Sequence, residues 1–524
     1  MDFKFCDAAW TIRDFYNFNS FLSCILEEIK FFILFLLCKF ERMNFKVVLN
    51  IIGFLLILTG FLMTLGIPFS IYYKHDDIYS ILISAAICVV AGGLLWVFTR
   101  DADRLQLGKR EGYVIVSLGW LVLSIFGAIP FLIYGAIPNY TDAFFETMSG
   151  FTTTGASILT DIEVLPAGLL FWRSMTQWLG GMGIIVLSLA ILPLLGIGGM
   201  QLFTAEVPGI TKDKFHPRVK ETAKRLWGIY LLLTAVEAVL LIAGGLNLFD
   251  AINHAFTTMA TGGFSTKNAS TAHFNSPFVQ YVLIVFMFFA GMNFTLHYFA
   301  LHLKFESFKH NTEFKFYAAF LITATLIIML IHRPHHTFDV EESFRQSLFH
   351  VVSLVTTTGY VSSDFENWAP FSRMFFFVLL FIGGCAGSTG GGIKFARHYL
   401  LFRNGLLELK RLVHPRAIIP VRFNGKAVSQ EIIFNVQAFF IFYILLFVLG
   451  SVLLSLLGLD FLTAAGAVAT CLGNVGPGMG VVGPVSNFSS LPDITKWILS
   501  FFMLVGRLEL FTVLIIFTPY FWKK

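Results

Sequence analysis

Charge is scarce in this 524-residue chain: Asp, Glu, Lys and Arg together make up 13%. A water-soluble globule carries about twice that share, and 56% hydrophobic residues would not fit inside one. A soluble fold is excluded, and lipid is left as the solvent. Cysteine is sparse and scattered. Cys6, Cys24, Cys38, Cys88, Cys385 and Cys471 form no CxxC pair, so no disulfide framework and no cysteine metal site is expected. The apolar runs hold no His/Glu/Asp cluster with metal spacing and no nucleophile beside an evident base, so no enzyme and no cofactor is expected. The net charge of +5 could suggest nucleic acid. The basic residues fall instead in blocks between apolar runs, which is the signature of membrane orientation.

What is present in abundance is long apolar sequence. Runs extend over Val47 to Tyr73, Ile78 to Thr99, Tyr113 to Tyr140, Ser174 to Phe203, Phe278 to Leu303, Phe316 to Ile331, Met374 to Ile393 and Ile432 to Leu459. Two more, Leu226 to Leu248 and Trp497 to Trp522, carry embedded charge: Glu237 in one, Arg507 and Glu509 in the other. Most meet the roughly 20 residues needed to cross a hydrocarbon core, so ten spanning helices are expected. The segments 100–112, 196–226, 302–316 and 396–427, with the two terminal lysines, hold 22 Lys and Arg. That bias makes them, and the C-terminus, cytoplasmic. The opposite loops carry Asp76, Asp77, Asp142, Glu146, Asp161, Glu163, Asp364 and Glu366, which predicts a negative outer face that concentrates cations. Residues 1–42 hold a weak apolar stretch without a small-residue cleavage motif. They read as an N-terminal extension or a misassigned start ahead of Met43, or alternatively as an interfacial helix.

Four windows align without gaps: Tyr140 to Ala156, Leu248 to Phe264, Phe344 to Tyr360 and Phe461 to Pro477. In this register Gly155, Gly263, Gly359 and Gly476 coincide, as do Glu146, His254 and His350. Gly262 beside Gly263 allows a slip of one, against which Phe264 matches Tyr360. Each window is too short to span and ends in Thr and Gly between two spanning segments. The pattern predicts an all-α polytopic membrane protein: four M1-P-M2 potassium-channel-like repeats around a pseudo-fourfold pore, preceded by two extra transmembrane helices. Non-helical backbone at membrane depth is tolerated only where protein or water covers it, and its carbonyls can replace a cation's hydration shell. The candidate cation ligands are Thr153, Thr154, Gly155, Gly262, Gly263, Thr357, Thr358, Gly359, Asn474, Val475 and Gly476. A cation is the ion expected to be transported and bound, and no other cofactor is expected.

Residues 383–394 read GGCAGSTGGGIK. So many glycines cannot hold a straight helix, so the segment is expected to unwind as a gating loop over 383–393, with Gly387, Gly390, Gly391 and Gly392 as its pivots. It does not match GxxxxGK[ST], because Ile393 intervenes. Arg507 is expected to face the path below the filter and, with Lys394, to set an electrostatic barrier; pairing with Glu509 or Glu237 is the alternative. The two pore-helix histidines are read as packing residues.

Together the segments GFTTTGAS, ATGGFST, TTTGY, GGCAGSTGGGIK, GNVGPGMG and GRLELFT resemble the motifs of the Trk/Ktr/HKT superfamily of cation transporters, in the expected order over residues 44–524. The extra helix pair resembles the Trk branch. The resemblance implies a homodimer with one pore per subunit, embedded in membrane lipid of the bacterial cytoplasmic (inner) membrane. It also implies a cytosolic nucleotide-binding regulatory subunit. Superfamily members with serine at the first filter glycine tend toward sodium, so glycine in all four copies implies potassium. The expected organisation is an extension over 1–42, a helix pair over 43–100, and repeats over 112–203, 222–303, 314–403 and 428–524, with a cytoplasmic loop over 404–427. Basic residues Lys410, Arg411 and Arg416 in that loop are candidates for docking the partner. The rival reading is a secondary transporter that couples potassium or another solute to protons or sodium.

Overall fold

The computed structural model describes residues 43–101, 108–190, 215–332 and 339–522. The expected extension over 1–42, with Cys6, Cys24 and Cys38, and residues 196–214 of one expected cytoplasmic segment lie outside the described residues. The described chain is mostly helical. Its two short strands, Arg422–Phe423 and Lys426–Ala427, form an antiparallel hairpin. Asn424 and Gly425 turn it with φ of 49° and 77°, the left-handed pair that a two-residue hairpin requires.

Six described helices are long and apolar enough to cross a membrane: Phe45–Tyr73, Ile78–Phe98, Arg110–Tyr134, Ala223–Ala243, Thr312–Ile331 and Gln430–Leu456. Two bent pairs raise the number to eight. Pro277–Ala290 meets Phe294–Leu301 at 105°, and Asp493–Arg507 meets Phe511–Phe517 at 111°. The sequence led to ten, and the shortfall has a local cause in each case. The run from Ser174 lies in helix Ala167–Ala190, which buries Arg173 and Gln177 and leaves the described residues at 190. The run from Met374 stops as a helix at Leu379 and resumes only at Phe395, because the glycine-rich segment between them is not helical.

The first two helices approach closely through small residues. A Cβ on Gly53 would lie 2.8 Å from the carbonyl oxygen of Gly92, and one on Gly60 2.8 Å from that of Ala85. Without a hydrophobic drive between helices in lipid, such close packing is what holds a pair together.

Four half-length helices sit between the long ones: Tyr140–Phe151, Leu248–Met259, Val340–Val355 and Phe461–Gly473. At 1.5 Å per residue the 12-residue members reach about 18 Å, well short of a bilayer core of about 30 Å. Each begins at a side-chain cap. Asn139 accepts from Thr141 N (3.0 Å), Asn247 from Asp250 N (2.7 Å), Asp339 from Val340 N (2.8 Å) and Asp460 from Thr463 N (3.1 Å). These caps satisfy amides that a buried helix start would otherwise leave orphaned.

Candidate functional site

Each short helix ends the same way. Within two residues of its C-terminus, Thr153, Thr261, Thr357 or Asn474 adopts a left-handed conformation (φ 52°, 53°, 59° and 53°). Two residues later Gly155, Gly263, Gly359 and Gly476 do so again (φ 82°, 77°, 77° and 108°). The amide between them bonds back five residues in every copy: Thr154 to Ser149 (2.8 Å), Gly262 to Thr257 (2.8 Å), Thr358 to Ser353 (2.9 Å) and Val475 to Thr470 (3.0 Å). This closure satisfies the last carbonyls of the helix. Asparagine tolerates the left-handed region, but threonine is β-branched and rarely enters it. Three buried threonines there mark a backbone held by its surroundings. The glycine of the second copy is Gly263, so the alignment does not slip to Gly262.

The four strips touch in a ring. A Cβ on Gly155 would strike the Gly262 oxygen, one on Gly263 the Thr358 oxygen, and one on Gly359 the Val475 oxygen; one on Gly476 would lie 2.9 Å from the Thr154 oxygen. The circuit runs in chain order and closes on itself. All four glycines line one open cavity of about 100 Å³. Two oxygens nearby, Thr153 Oγ1 and Asn474 Oδ1, are buried without a hydrogen-bond partner among the described residues.

Each strip has its own props. Thr152 and Thr154 share a hydroxyl hydrogen bond of 2.8 Å, matched by Thr356 and Thr358 at 2.9 Å. Gln177 holds the second strip from both sides, donating to Gly262 O (2.7 Å) and accepting from Phe264 N (3.1 Å). Tyr360 reaches from the third strip to Thr257 Oγ1 (2.5 Å) and donates to His254 O (3.1 Å). Asn474 donates to Thr154 Oγ1 (3.0 Å) and Met503 O (2.9 Å), tying the fourth strip to the first. The aligned residues Glu146, His254 and His350 fix the segment beyond each strip. Glu146 accepts from Ser157 Oγ (2.9 Å) and Ile158 N (2.9 Å); His254 Nε2 meets Ser265 Oγ (3.0 Å), and His350 Nε2 meets Ser363 O (3.0 Å).

The outer carboxylates are less exposed than the sequence suggested. Glu146 pairs with Arg173 at 2.7 Å, Asp142 with Lys496 at 2.6 Å and Glu163 with Lys267 at 3.7 Å. Asp77 is buried and accepts from Leu169 N (3.0 Å), and Glu366 accepts from Gly480 N (2.7 Å). Three of the eight carboxylates are thus neutralised by basic partners, whereas Asp76 and Asp161 are exposed.

On the opposite side, residues 380–394 form an irregular loop beneath the ring. Gly391 N donates to Thr357 Oγ1 (2.7 Å), and Thr389 Oγ1 donates to Met259 O (3.0 Å). A Cβ on Gly391 would lie 2.7 Å from that of Asn474. Gly387 and Gly392 need positive φ, 76° and 61°, which only glycine adopts freely, whereas Gly390 lies near the Thr356 oxygen. Lys394 Nζ donates to Gly390 O. Arg507 is buried and donates to Thr389 O (2.7 Å) and Gly180 O (3.2 Å). Among the described residues it makes no ion pair with Glu509 or Glu237; Glu509 pairs instead with Arg397 at 2.5 Å. Gln177, Arg173 and Arg397 were not singled out in the sequence. The one signal they give is a polar side chain inside or just beyond an apolar run.

Comparison with known proteins agrees in kind. The TrkH family model, described as a cation transport protein, matches residues 78–524. The Trk system potassium uptake protein TrkH of Salmonella typhimurium is 42% identical over 487 residues, covering 92% of this chain and 100% of that protein. The Trk system potassium uptake protein TrkG of Escherichia coli is 36% identical over 484 residues, covering 91% and 99%. The crystal structure of the potassium transporter TrkH from Vibrio parahaemolyticus superposes with a TM-score of 0.84 at 40% identity, covering 92% of this chain and 100% of that one.

Proposed function

This chain belongs to the TrkH family of cation transport proteins, and on that premise we propose that it carries potassium inward through the ring of glycine-bearing strips. The observation that carries the reading is the repeated left-handed pair in all four strips, each packed on the next. Alternating hand along a strip turns successive carbonyls toward the same side, where they can replace the hydration shell of a cation. Potassium, the substrate, would be held by oxygens of residues 153–155, 262–263, 357–359 and 474–476. Backbone oxygens need no carboxylate cluster, and none with metal-binding composition occurs among the described residues.

In this reading the four windows are re-entrant pore helices of M1-P-M2 repeats, and their C-terminal partial charges favour a cation at the centre. The loop over 383–393 closes the path from below, with Arg507 and Lys394 placing positive charge there. The membrane potential, worth about 2.3 kcal/mol per charge per 100 mV, drives entry in the bacterial inner membrane. The relatives' names place them in a Trk system, which fits a cytosolic nucleotide-binding regulatory subunit, and a homodimer completes the assembly. Arg411 already donates to Ile419 O (2.7 Å) and pairs with Glu408 (2.6 Å), so of the three candidate docking residues Lys410 and Arg416 carry the contact. A pull-down of the partner that survives their neutralisation counts against that surface.

The test is growth of a potassium-uptake-deficient bacterium on limiting potassium, with rubidium and sodium uptake measured alongside. Rescue is expected from the native chain. Inserted, folded protein that gives neither rescue nor rubidium uptake, with its regulatory partner co-expressed, defeats the proposal.

A further inference from the structure

The loop under the ring is fastened by a carboxylate that the reading above does not use. Glu313 lies in the first turn of helix Thr312–His332 and is buried, 3% exposed. Its Oε1 accepts from Ala386 N at 2.7 Å and from Ala396 N at 3.0 Å. These two amides bracket the glycines at 387–392: Ala386 directly precedes them, and Ala396 is the second residue of the helix that follows the loop. One oxygen thus closes a ten-residue bight of chain. Amides bonded to an ionised acceptor make shorter and stronger hydrogen bonds than neutral pairs. The carboxylate also sits at the start of helix Phe395–Val413, where negative charge is favoured.

The position of Glu313 is itself braced. Its neighbour Thr312 donates its amide to Asn424 Oδ1 (2.7 Å) and accepts from Asn424 N through Oγ1 (3.1 Å), so the turn of the short hairpin fixes the helix start. Inside the bight, glycine at 387 and 390–392 offers little resistance of its own to rearrangement. Bonds at its ends therefore add to those made inside it by Thr389, Gly390 and Gly391.

We propose that Glu313 is a positioning residue for the gate: by clasping both ends of the glycine loop it keeps the loop seated under the ring. The inference rests on the loop being the gate, and its test separates the two. Full-length protein is reconstituted in vesicles of phosphatidylethanolamine and phosphatidylglycerol for rubidium uptake without any regulatory partner. In parallel, alkylation of Cys385 by N-ethylmaleimide is followed by peptide mass spectrometry, because Cys385 lies in the loop and is buried.

Glu313→Ala is expected to raise both Cys385 alkylation and basal rubidium uptake at least fivefold. Glu313→Gln keeps an acceptor oxygen at the same reach without the charge, and should fall between the native protein and Glu313→Ala in both. That partial rescue is not expected of a residue that merely fills space. If Glu313→Ala does not fold, Glu313→Asp, one methylene short, carries the same expectation. Alkylation unchanged in a folded Ala or Asp variant overturns the clasp, as does a Gln variant as loose as Ala. Alkylation that rises while uptake stays at the native level leaves the clasp standing and overturns the loop as gate.

Discussion

Replacing Gly359 by serine tests the ring at one point. Gly359 has φ 77°, a conformation that costs an L-residue about 1–2 kcal/mol. Its new Cβ would strike the Val475 carbonyl oxygen and lie 2.8 Å from Pro477 Cδ. The proline ring fixes its own φ and yields little, so the Val475 carbonyl must swing. If that oxygen binds the ion, its loss resembles loss of a hydrogen bond to a charged group, about 1.5–3 kcal/mol. This corresponds to a roughly 10- to 150-fold loss of potassium over sodium preference. The assay is paired rubidium and sodium uptake in potassium-uptake-deficient cells, with membrane insertion checked. Gly405→Ser is the control, because nothing lies within 4 Å of a Cβ there, and it should behave as native. A Gly359→Ser protein that inserts normally and keeps its full preference refutes the assignment of this ring to ion selection.

Asn474→Ala removes the bonds to Thr154 and Met503 and places alanine in a left-handed position. A loss of about 2–4 kcal/mol is expected, read as a lowered thermal midpoint in detergent. Arg173→Ala leaves the Glu146 carboxylate buried without its 2.7 Å partner, at about 3–5 kcal/mol, and adding Glu146→Gln should restore part of the lost midpoint. Arg507→Gln keeps a donor toward Thr389 but removes the charge, and should raise partner-free rubidium uptake; an unchanged basal rate argues against an electrostatic barrier. The side-chain and backbone hydrogen bonds of Thr463 hold the Asp460 carboxyl below its ordinary value. A lowered carboxyl stabilises the fold fully above the usual range near ~4 and loses that contribution as pH falls through the lowered value. The midpoint of the native protein should therefore fall faster on acidification than that of Asp460→Asn, and parallel curves would contradict this.

The backbone rhythm was legible in the sequence, and the cross-chain chemistry was not. Gly155, Gly263, Gly359 and Gly476 announce themselves because only the shared glycine survives in all four windows, and all four take positive φ. The break between Leu379 and Phe395 follows from glycine content alone. Both are local properties, fixed by residues a few positions apart. Gln177 bonding Gly262, or Arg397 bonding Glu509, joins residues 85 and 112 positions apart, and no pattern in either segment points to the other. The same blindness made Asp142 and Glu146 look like surface charge when Lys496 and Arg173 neutralise them. Hydropathy sees the apolar run through Pro277 to Leu301 as continuous, but not the 105° bend at its centre.

The circuit of strips closes in chain order within a single polypeptide. In a homotetramer any substitution is repeated four times by symmetry; here each quarter is encoded separately. Gln177 steadies only the second strip, Tyr360 couples the third to the second, and Asn474 couples the fourth to the first. A mutation therefore alters one side of the ring and leaves three intact. Under the proposed reading, ion preference can drift one quarter at a time, along routes closed to a channel whose four walls must all change at once.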